Sequence, residues 1–405
     1  MERLIGIAGI LVLLGIALAM SNNRKAISWQ LVTWGLGIQI LFAIIILKTP
    51  VGAPFFGAID IGIKNLLSFS DAGSDFLFKS FRHGVVEDPL MNFAFRILPT
   101  LIFFSSLIAV LYHLGIMQFI VKWIARVMQK SMGTSGSETL CVSGNIFVGQ
   151  TEAPLLVRPF ILKMTKSELM AVMVSGFATV AGGVMAMYVS ILGDIPGIAG
   201  HLLAASIMSA PAALVIAKII YPETEASDTF GDLKIALDKK DDNIMEALSR
   251  GATNGMKLAA NVAAMLVAFV AIIAMVNAIL GLIDLSLQQI LGWIFSPLAW
   301  VMGVPWNEAG IIGSLMGEKL VLTELIAFGD LSELMTTNSI SDRSAIIASY
   351  ALCGFANFAS VGIQLGGIGG IAPERRKDLA KLALKAMFGG ALASWLTATI
   401  AGMLI

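Results

Sequence analysis

Four consecutive residues, Gly149-Gln150-Thr151-Glu152, put an amide, a hydroxyl and a carboxylate side by side within otherwise apolar surroundings. Pro154 follows, and Arg158-Pro159 closes a segment, 135–159, that is too polar and too glycine-rich for an ordinary membrane helix. A second carboxylate, Glu324, holds a comparable place in the run 317–330, GEKLVLTELIAFGD, with Glu318 and Lys319 a turn or more before it. A carboxylate stranded in a dry medium costs several kcal/mol or takes up a proton. Each therefore calls for a cation, a proton, or a hydroxyl or N–H of a ligand. The plainer reading is that each pairs with a nearby Lys, Arg or backbone N–H, Lys319 being placed to reach Glu324. That structural reading suits Glu138 and Glu318 best, since they lie nearer the ends of these segments.

Two further stretches carry polar groups in apolar sequence. In 178–184, ATVAGGV, the paired glycines weaken a helix and let carbonyls turn from its axis. Such carbonyls, with the Thr179 hydroxyl, are the hard oxygen donors that a small alkali cation takes. In 353–360, CGFANFAS, Asn357 and Ser360 are three apart, which predicts one helical face carrying an amide and a hydroxyl. Phe355 and Phe358 supply apolar surface beside them. An asparagine in a membrane helix serves equally as glue between helices, but next to Ser360 and a glutamate it favours a ligand.

Other patterns point elsewhere. Gly251 and Gly255 form a small-xxx-small spacing that lets two helices approach closely. The glycines of 362–370 have no preceding strand and end an apolar helix, so they are not a nucleotide loop. The three histidines are scattered, and HExxH, Walker-lysine and GxSxG motifs are missing from the sequence. A primary pump and a membrane hydrolase are therefore disfavoured, and no enzyme activity is expected.

The elements that must position these groups follow from composition. The 405 residues are 57% hydrophobic and 13% charged, with a mean hydropathy of +0.85, whereas soluble chains carry about 25% charged residues. An all-α polytopic membrane protein surrounded by lipid is expected. Net charge is zero and there is no basic cluster, which argues against nucleic acid as a partner. Eight stretches suit a membrane span of about 20 residues: 4–20, 27–47, 93–121, 169–191, 198–220, 251–280, 345–365 and 382–404. The first is read as a membrane helix rather than a signal peptide, because many others follow. Segments 135–161 and 302–328 are interrupted and read as re-entrant hairpins. Residues 49–90 and 285–298 read as interfacial, the latter as an amphipathic helix.

With both termini outside, Arg24, Lys25, Lys122, Arg126, Lys130, Arg158, Lys163, Lys166 and the run Arg375-Arg376-Lys377 fall inside, as the positive-inside rule requires. Asp194, Asp284 and Asp342 fall outside, while the acidic inside loop 221–246 departs from the trend without weighing heavily in the rule. Each hairpin is then followed by two spans, and the two units have opposite orientation. Inverted repeats with broken elements mark secondary transporters. Proton coupling through Glu152 or Glu324, a passive channel or facilitator, and a membrane-embedded enzyme are the competing readings.

The run Gly144-Asn145-Ile146-Phe147-Val148-Gly149-Gln150-Thr151-Glu152-Ala153-Pro154 resembles the first hairpin of the concentrative nucleoside transporters. Gly317-x-Lys319 through Thr323-Glu324-Leu325-x-Ala327 resembles their second-hairpin motif, and 353–360 their seventh-helix motif. One departure is Thr323-Glu324-Leu325, where the family commonly has Asn-Glu-Phe. The resemblance covers nearly the whole chain. It implies a bacterial inner-membrane sodium–nucleoside symporter with eight membrane helices and two hairpins, assembled as a homotrimer. A scaffold (1–130 and 251–301) would hold the trimer while a transport unit (131–250 and 302–405) carries substrate. By the same resemblance Gly149, Gln150, Thr151, Glu152 and Val184 surround the nucleobase. Glu324, Asn357 and Ser360 serve the ribose, and Phe355 lines the pocket. Na+ as the co-transported ion is held by Asn145, Val148, Thr179 and Val180, partly through backbone carbonyls, and no organic cofactor is implied.

Overall fold

The computed structural model describes residues 2–50, 52–193, 195–230 and 241–405. Asp194, and residues 231–240 of the acidic loop, lie outside the described residues. The regular structure of the described residues is all helical, with no strand among them. Helices α1 (Glu2–Ala19), α2 (Trp29–Lys48) and α3 (Gly52–Phe78) come first. A π turn over Phe93–Ile97 then leads into α4 (Leu98–His113) and α5 (Ile116–Met132). The expected single span 93–121 is therefore two helices. Gly115, at φ 80°, takes a left-handed conformation that other residues rarely adopt, and it ends one helix and starts the next.

The polar segment follows as α6 (Gly136–Asn145), an irregular tip, and a 3-10 stretch over Ala153–Lys163. Ser135 and Glu138 form a reciprocal capping box at the start of α6, and Thr165 and Glu168 do the same at the next helix. That helix is broken, as the paired glycines predict: α7 (Lys166–Ala178) stops at Thr179, and α8 (Gly182–Ile191) begins at the glycines. After α9 (Ile198–Ile220) and α10 (Ile244–Leu280) come α11 (Leu287–Val301) and α12 (Trp306–Val321), which meet at 118°. A short break at Leu322-Thr323 precedes α13 (Glu324–Thr336). The second polar segment thus runs past the expected end at 328. The last span pair is α14 (Asp342–Leu352), a break at 353–357, α15 (Phe358–Ile371), and then α16 (Arg376–Leu404).

Among the described residues, six stretches are long and apolar enough to cross a bilayer: Trp29–Lys48, Phe93–His113, Lys166–Ile191, Ile198–Ile220, Ile244–Ile283 and Pro373–Leu404. Of the other two expected spans, 4–20 forms the shorter helix α1, and 345–365 is the broken pair α14–α15. Residues 49–90, read as interfacial, contain the continuous helix α3. It is tied to the π turn by Ser74 Oγ donating to the Phe95 carbonyl (2.6 Å) and by Arg96, which pairs with Asp71 and Asp75.

Burial sorts the helices. Within the chain, 89% of the apolar window of Lys166–Ile191 and of Ile198–Ile220 is buried, against 6% for Ile244–Ile283. Helices α7, α9 and α16 form the centre, and α10 lies against α4 with most of its remaining surface uncovered. The spacing of Gly251 and Gly255 makes the α4 contact: a Cβ at either would come within 2.6 Å of Ser106 Cα or Ile102 Cα.

The two helix breaks press together at Gly354. Its φ is 105°, and a Cβ there would lie 2.6 Å from the Phe177 carbonyl oxygen and 2.8 Å from that of Ala178. Conformational strain alone is worth about 1–3 kcal/mol, and the backbone clash adds to it. Gly354→Ala is expected to lower the thermal midpoint in detergent by several degrees, measured by fluorescence-detected size exclusion after heating. A variant as heat-resistant as the parent would show that the breaks do not need this contact.

Candidate functional site

The carboxylate of Glu324 is built into the first turn of α13, after the Leu322-Thr323 break. Backbone N–H groups left free at a helix N-terminus favour negative charge there. Only 5% of Glu324 is exposed. Tyr188 donates its hydroxyl to Oε1 (2.6 Å), and Asn357 donates Nδ2 to Oε2 (2.8 Å). The two oxygens together have about four acceptor sites, and besides Tyr188 and Asn357 only the Glu324 backbone N–H engages them, so room for a further donor is left. Lys319 does not reach Glu324 as a hydrogen-bond partner. Its fully buried ammonium uses its three donors on the Ala351 carbonyl (2.8 Å), the Cys353 carbonyl (3.1 Å) and Ser394 Oγ (2.8 Å). The lysine thus fastens α12 to the end of α14 and to α16.

Asn357 corrects the expectation of a shared helical face with Ser360. It precedes α15 as its N-cap, in extended backbone, and its Oδ1 accepts from the Ser360 N–H at 2.8 Å. Capping explains the spacing of three. It also aims the amide nitrogen back at Glu324. Ser360 is buried and Phe355 half-buried in the preceding break. Val184, also buried, lies one turn before Tyr188 on α8.

The first polar tip meets the same helix further along. Gln150 is buried, and its Oε1 accepts from Gln364 Nε2 at 3.1 Å. Thr151 packs on Gly367, where a Cβ would lie 2.5 Å from its methyl group. Glu152 is exposed and curls back over Gly149, where a Cβ would lie 2.2 Å from Oε2. Only glycine permits that approach. Asn357 and Gln364 are seven residues apart, which on a helix is about 10 Å. The two tips therefore sit against one end and the middle of α15.

The residues proposed for a cation gather at the end of α6 and the α7–α8 break. Asn145 is wholly buried. Its Nδ2 donates to Ser175 Oγ (2.8 Å), while its Oδ1 has no hydrogen-bond partner among the described residues. Thr179 is the extended residue that ends α7, and its hydroxyl donates to the Ser175 carbonyl at 2.8 Å. Val148 and Val180 are buried beside the same break. The Phe147 carbonyl accepts from the Gly182 N–H (2.9 Å) and the Ile146 carbonyl from Ser206 Oγ (3.1 Å), so the tip is clamped to α8 and α9. An unpaired buried amide oxygen is costly, and a cation is one group that would satisfy it.

Four of these partners were not singled out from sequence: Tyr188, Gln364, Ser175 and Ser206. A tyrosine in the apolar run 182–191 was a usable signal, because a buried phenol needs a partner. Gln364, a lone amide in a glycine-rich apolar helix, was another. Glu138 keeps its structural reading, paired with Lys218 Nζ at 2.8 Å.

Comparison with known proteins places this arrangement. Models of the Na+ dependent nucleoside transporter family match the chain over 201–402 (C-terminus) and 8–81 (N-terminus), and a nucleoside-recognition gate model matches 94–195. The chain is 44% identical, over all of its length and 98% of the other protein, to an uncharacterized transporter of Haemophilus influenzae. It is 42% identical to the rat sodium/nucleoside cotransporter 1, of which it spans 64%. A solved structure of CNTnw in an inward-facing substrate-bound state superposes with a TM-score of 0.92 at 43% identity, covering 100% of this chain and 98% of that one. The chain belongs to the Na+ dependent, concentrative nucleoside transporters, a family of multi-pass membrane transporters and not of enzymes.

Proposed function

We propose that this protein is a symporter that imports nucleosides across the bacterial inner membrane, driven by the sodium gradient. The observation that carries the reading is the buried Glu324, held by Tyr188 and Asn357 with room for a further donor. A ribose offers adjacent hydroxyls, and a hydroxyl donating to a carboxylate makes a charge-assisted bond stronger than a neutral one. Ser360 joins Glu324 and Asn357 at the ribose. The base lies toward Gly149, Gln150, Thr151 and Glu152, between the apolar surfaces of Val184 and Phe355. The separation of the two tips along α15 matches a sugar with a flat ring attached.

Sodium as the coupled ion is supported by the names of the relatives and by the orphaned Oδ1 of Asn145. Asn145, Thr179 and the backbone at Val148 and Val180 are the assigned ligands. An ion there would brace the Gln150 tip, since Asn145, Val148 and Gln150 follow one another in the chain. If the ion strengthens nucleoside binding, the nucleoside strengthens ion binding by the same factor. Eight membrane crossings, two re-entrant hairpins of opposite orientation and both termini outside complete the topology. The order of elements supports the inverted repeat: α6 and its tip precede broken α7–α8 and α9, as α12–α13 precede broken α14–α15 and α16. In a homotrimer, residues 1–130 and 251–301 form the scaffold, and 131–250 with 302–405 move. The uncovered surface of α10 supports a place at the scaffold's outer face.

In proteoliposomes, Glu324→Gln is expected to cut sodium-driven nucleoside uptake more than about tenfold while trimer assembly persists by cross-linking. Uptake at the parental rate would refute the role of Glu324. Thr179→Ala is expected to raise the sodium concentration for half-maximal uptake several-fold, with the order of preferred bases unchanged. An unaltered sodium titration would move the ion elsewhere. Accumulation in sodium-free vesicles under an imposed pH gradient would assign the coupling to protons, and equilibration without accumulation would mark a facilitator.

A further inference from the structure

Gln364 is fully buried, in the middle of α15. Its Nε2 donates to two oxygens, the Met173 carbonyl of α7 and Gln150 Oε1, both at 3.1 Å. A backbone carbonyl only accepts, so the nitrogen end of Gln364 must face Met173; the reverse orientation would set two oxygens against each other. That same nitrogen faces Gln150, whose amide is then fixed with its oxygen toward Gln364. Both amide orientations therefore follow from one carbonyl. The approach depends on Gly176, where a Cβ would lie 2.6 Å from Gln364 Nε2 and 2.9 Å from Gln150 Cβ. What remains is the Gln150 amide nitrogen, which has no hydrogen bond to the protein among the described residues.

We infer that Gln364 is a specificity-determining positioning residue: through the Met173 carbonyl it locks the Gln150 side chain so that an N–H donor, and not an acceptor, is presented to the nucleobase. This inference rests on the proposed nucleoside function. A free glutamine can turn either end to a ligand and so accepts several base edges; one whose oxygen is already engaged cannot. The base is then read for an acceptor at the contacted position. Uridine and cytidine exchange donor and acceptor at both the 3 and 4 positions of the ring, as inosine and adenosine do at 1 and 6. Set against that exchanged edge, a one-way donor favours one member of each pair, because the other sets donor against donor and leaves both unpaired.

The test measures KM and maximal uptake for these four nucleosides in proteoliposomes with a fixed sodium gradient. The wild-type protein is expected to separate at least one pair by about tenfold in KM, the size of one hydrogen bond gained against one left unpaired. Gln364→Met keeps the volume but frees Gln150, and is expected to bring that ratio to within about twofold of unity with maximal uptake little changed. Gln150→Glu keeps an acceptor toward Gln364 and puts an acceptor where the donor was, and is expected to invert the ratio. A wild-type ratio of one for both pairs, an unchanged ratio in Gln364→Met, or a KM raised equally for all four nucleosides would overturn the inference, the last marking a packing role. Should Gln364→Met fail to reach the membrane, Gln150→Glu decides, and absence of inversion overturns the lock. A wild-type protein that accumulates none of the four overturns the proposed function instead.

Discussion

The polar centre of this protein depends on one buried carboxylate receiving two donors from separate parts of the chain. Glu324 opens α13, Tyr188 comes from α8, and Asn357 caps α15. Removing either donor would leave a buried negative charge less compensated, a penalty that exceeds the worth of an ordinary hydrogen bond. The same contacts hold the second tip against both broken helices. Stability and the proposed ribose site therefore share one group.

Backbone irregularity at membrane depth is tolerated where protein satisfies the freed groups, and the two breaks are satisfied in different ways. At the α14–α15 break, the Lys319 ammonium takes up the carbonyls of Ala351 and Cys353. At the α6 tip, the carbonyls of Ile146 and Phe147 are met by Ser206 and by the backbone of Gly182. Asn145 Oδ1 is left over. One break is thus closed by a built-in cation, and the other keeps an open oxygen donor.

Burial divides the chain along the same lines. Helices α7, α9 and α16 are enclosed, whereas α10 is largely uncovered, meeting α4 where Gly251 and Gly255 let it come close and α11 through Asn277. At one end of the enclosed group, Lys218 joins Glu138 of the α6 capping box, and Ser227 and Thr229 donate to Glu168 of the α7 capping box. These ties attach the start of α6 to the end of α9, and the start of α7 to the segment that follows it.

Composition and apolar run lengths determined the all-helical membrane class, because a hydrocarbon medium admits few other backbones. The paired glycines at 182–183 marked a helix break, since their lack of side chains is a local property. The polar run 149–152 marked a tip for the same reason. Local pattern could not show that Asn357 caps α15 rather than sharing its face with Ser360, because both arrangements place polar residues three apart. Nor could it show that Gly115 divides 93–121, where apolar character continues across the turn. Lys319 is near Glu324 in sequence yet spends its donors on α14 and α16. Tyr188 and Gln364 find partners 136 and 214 residues away. Which polar group meets which is set by how the helices cross, since a buried donor or acceptor gains by finding whatever partner that crossing brings near. That gain acts only after the chain has folded, so the residue types were legible in the sequence and their partners were decided by the tertiary structure.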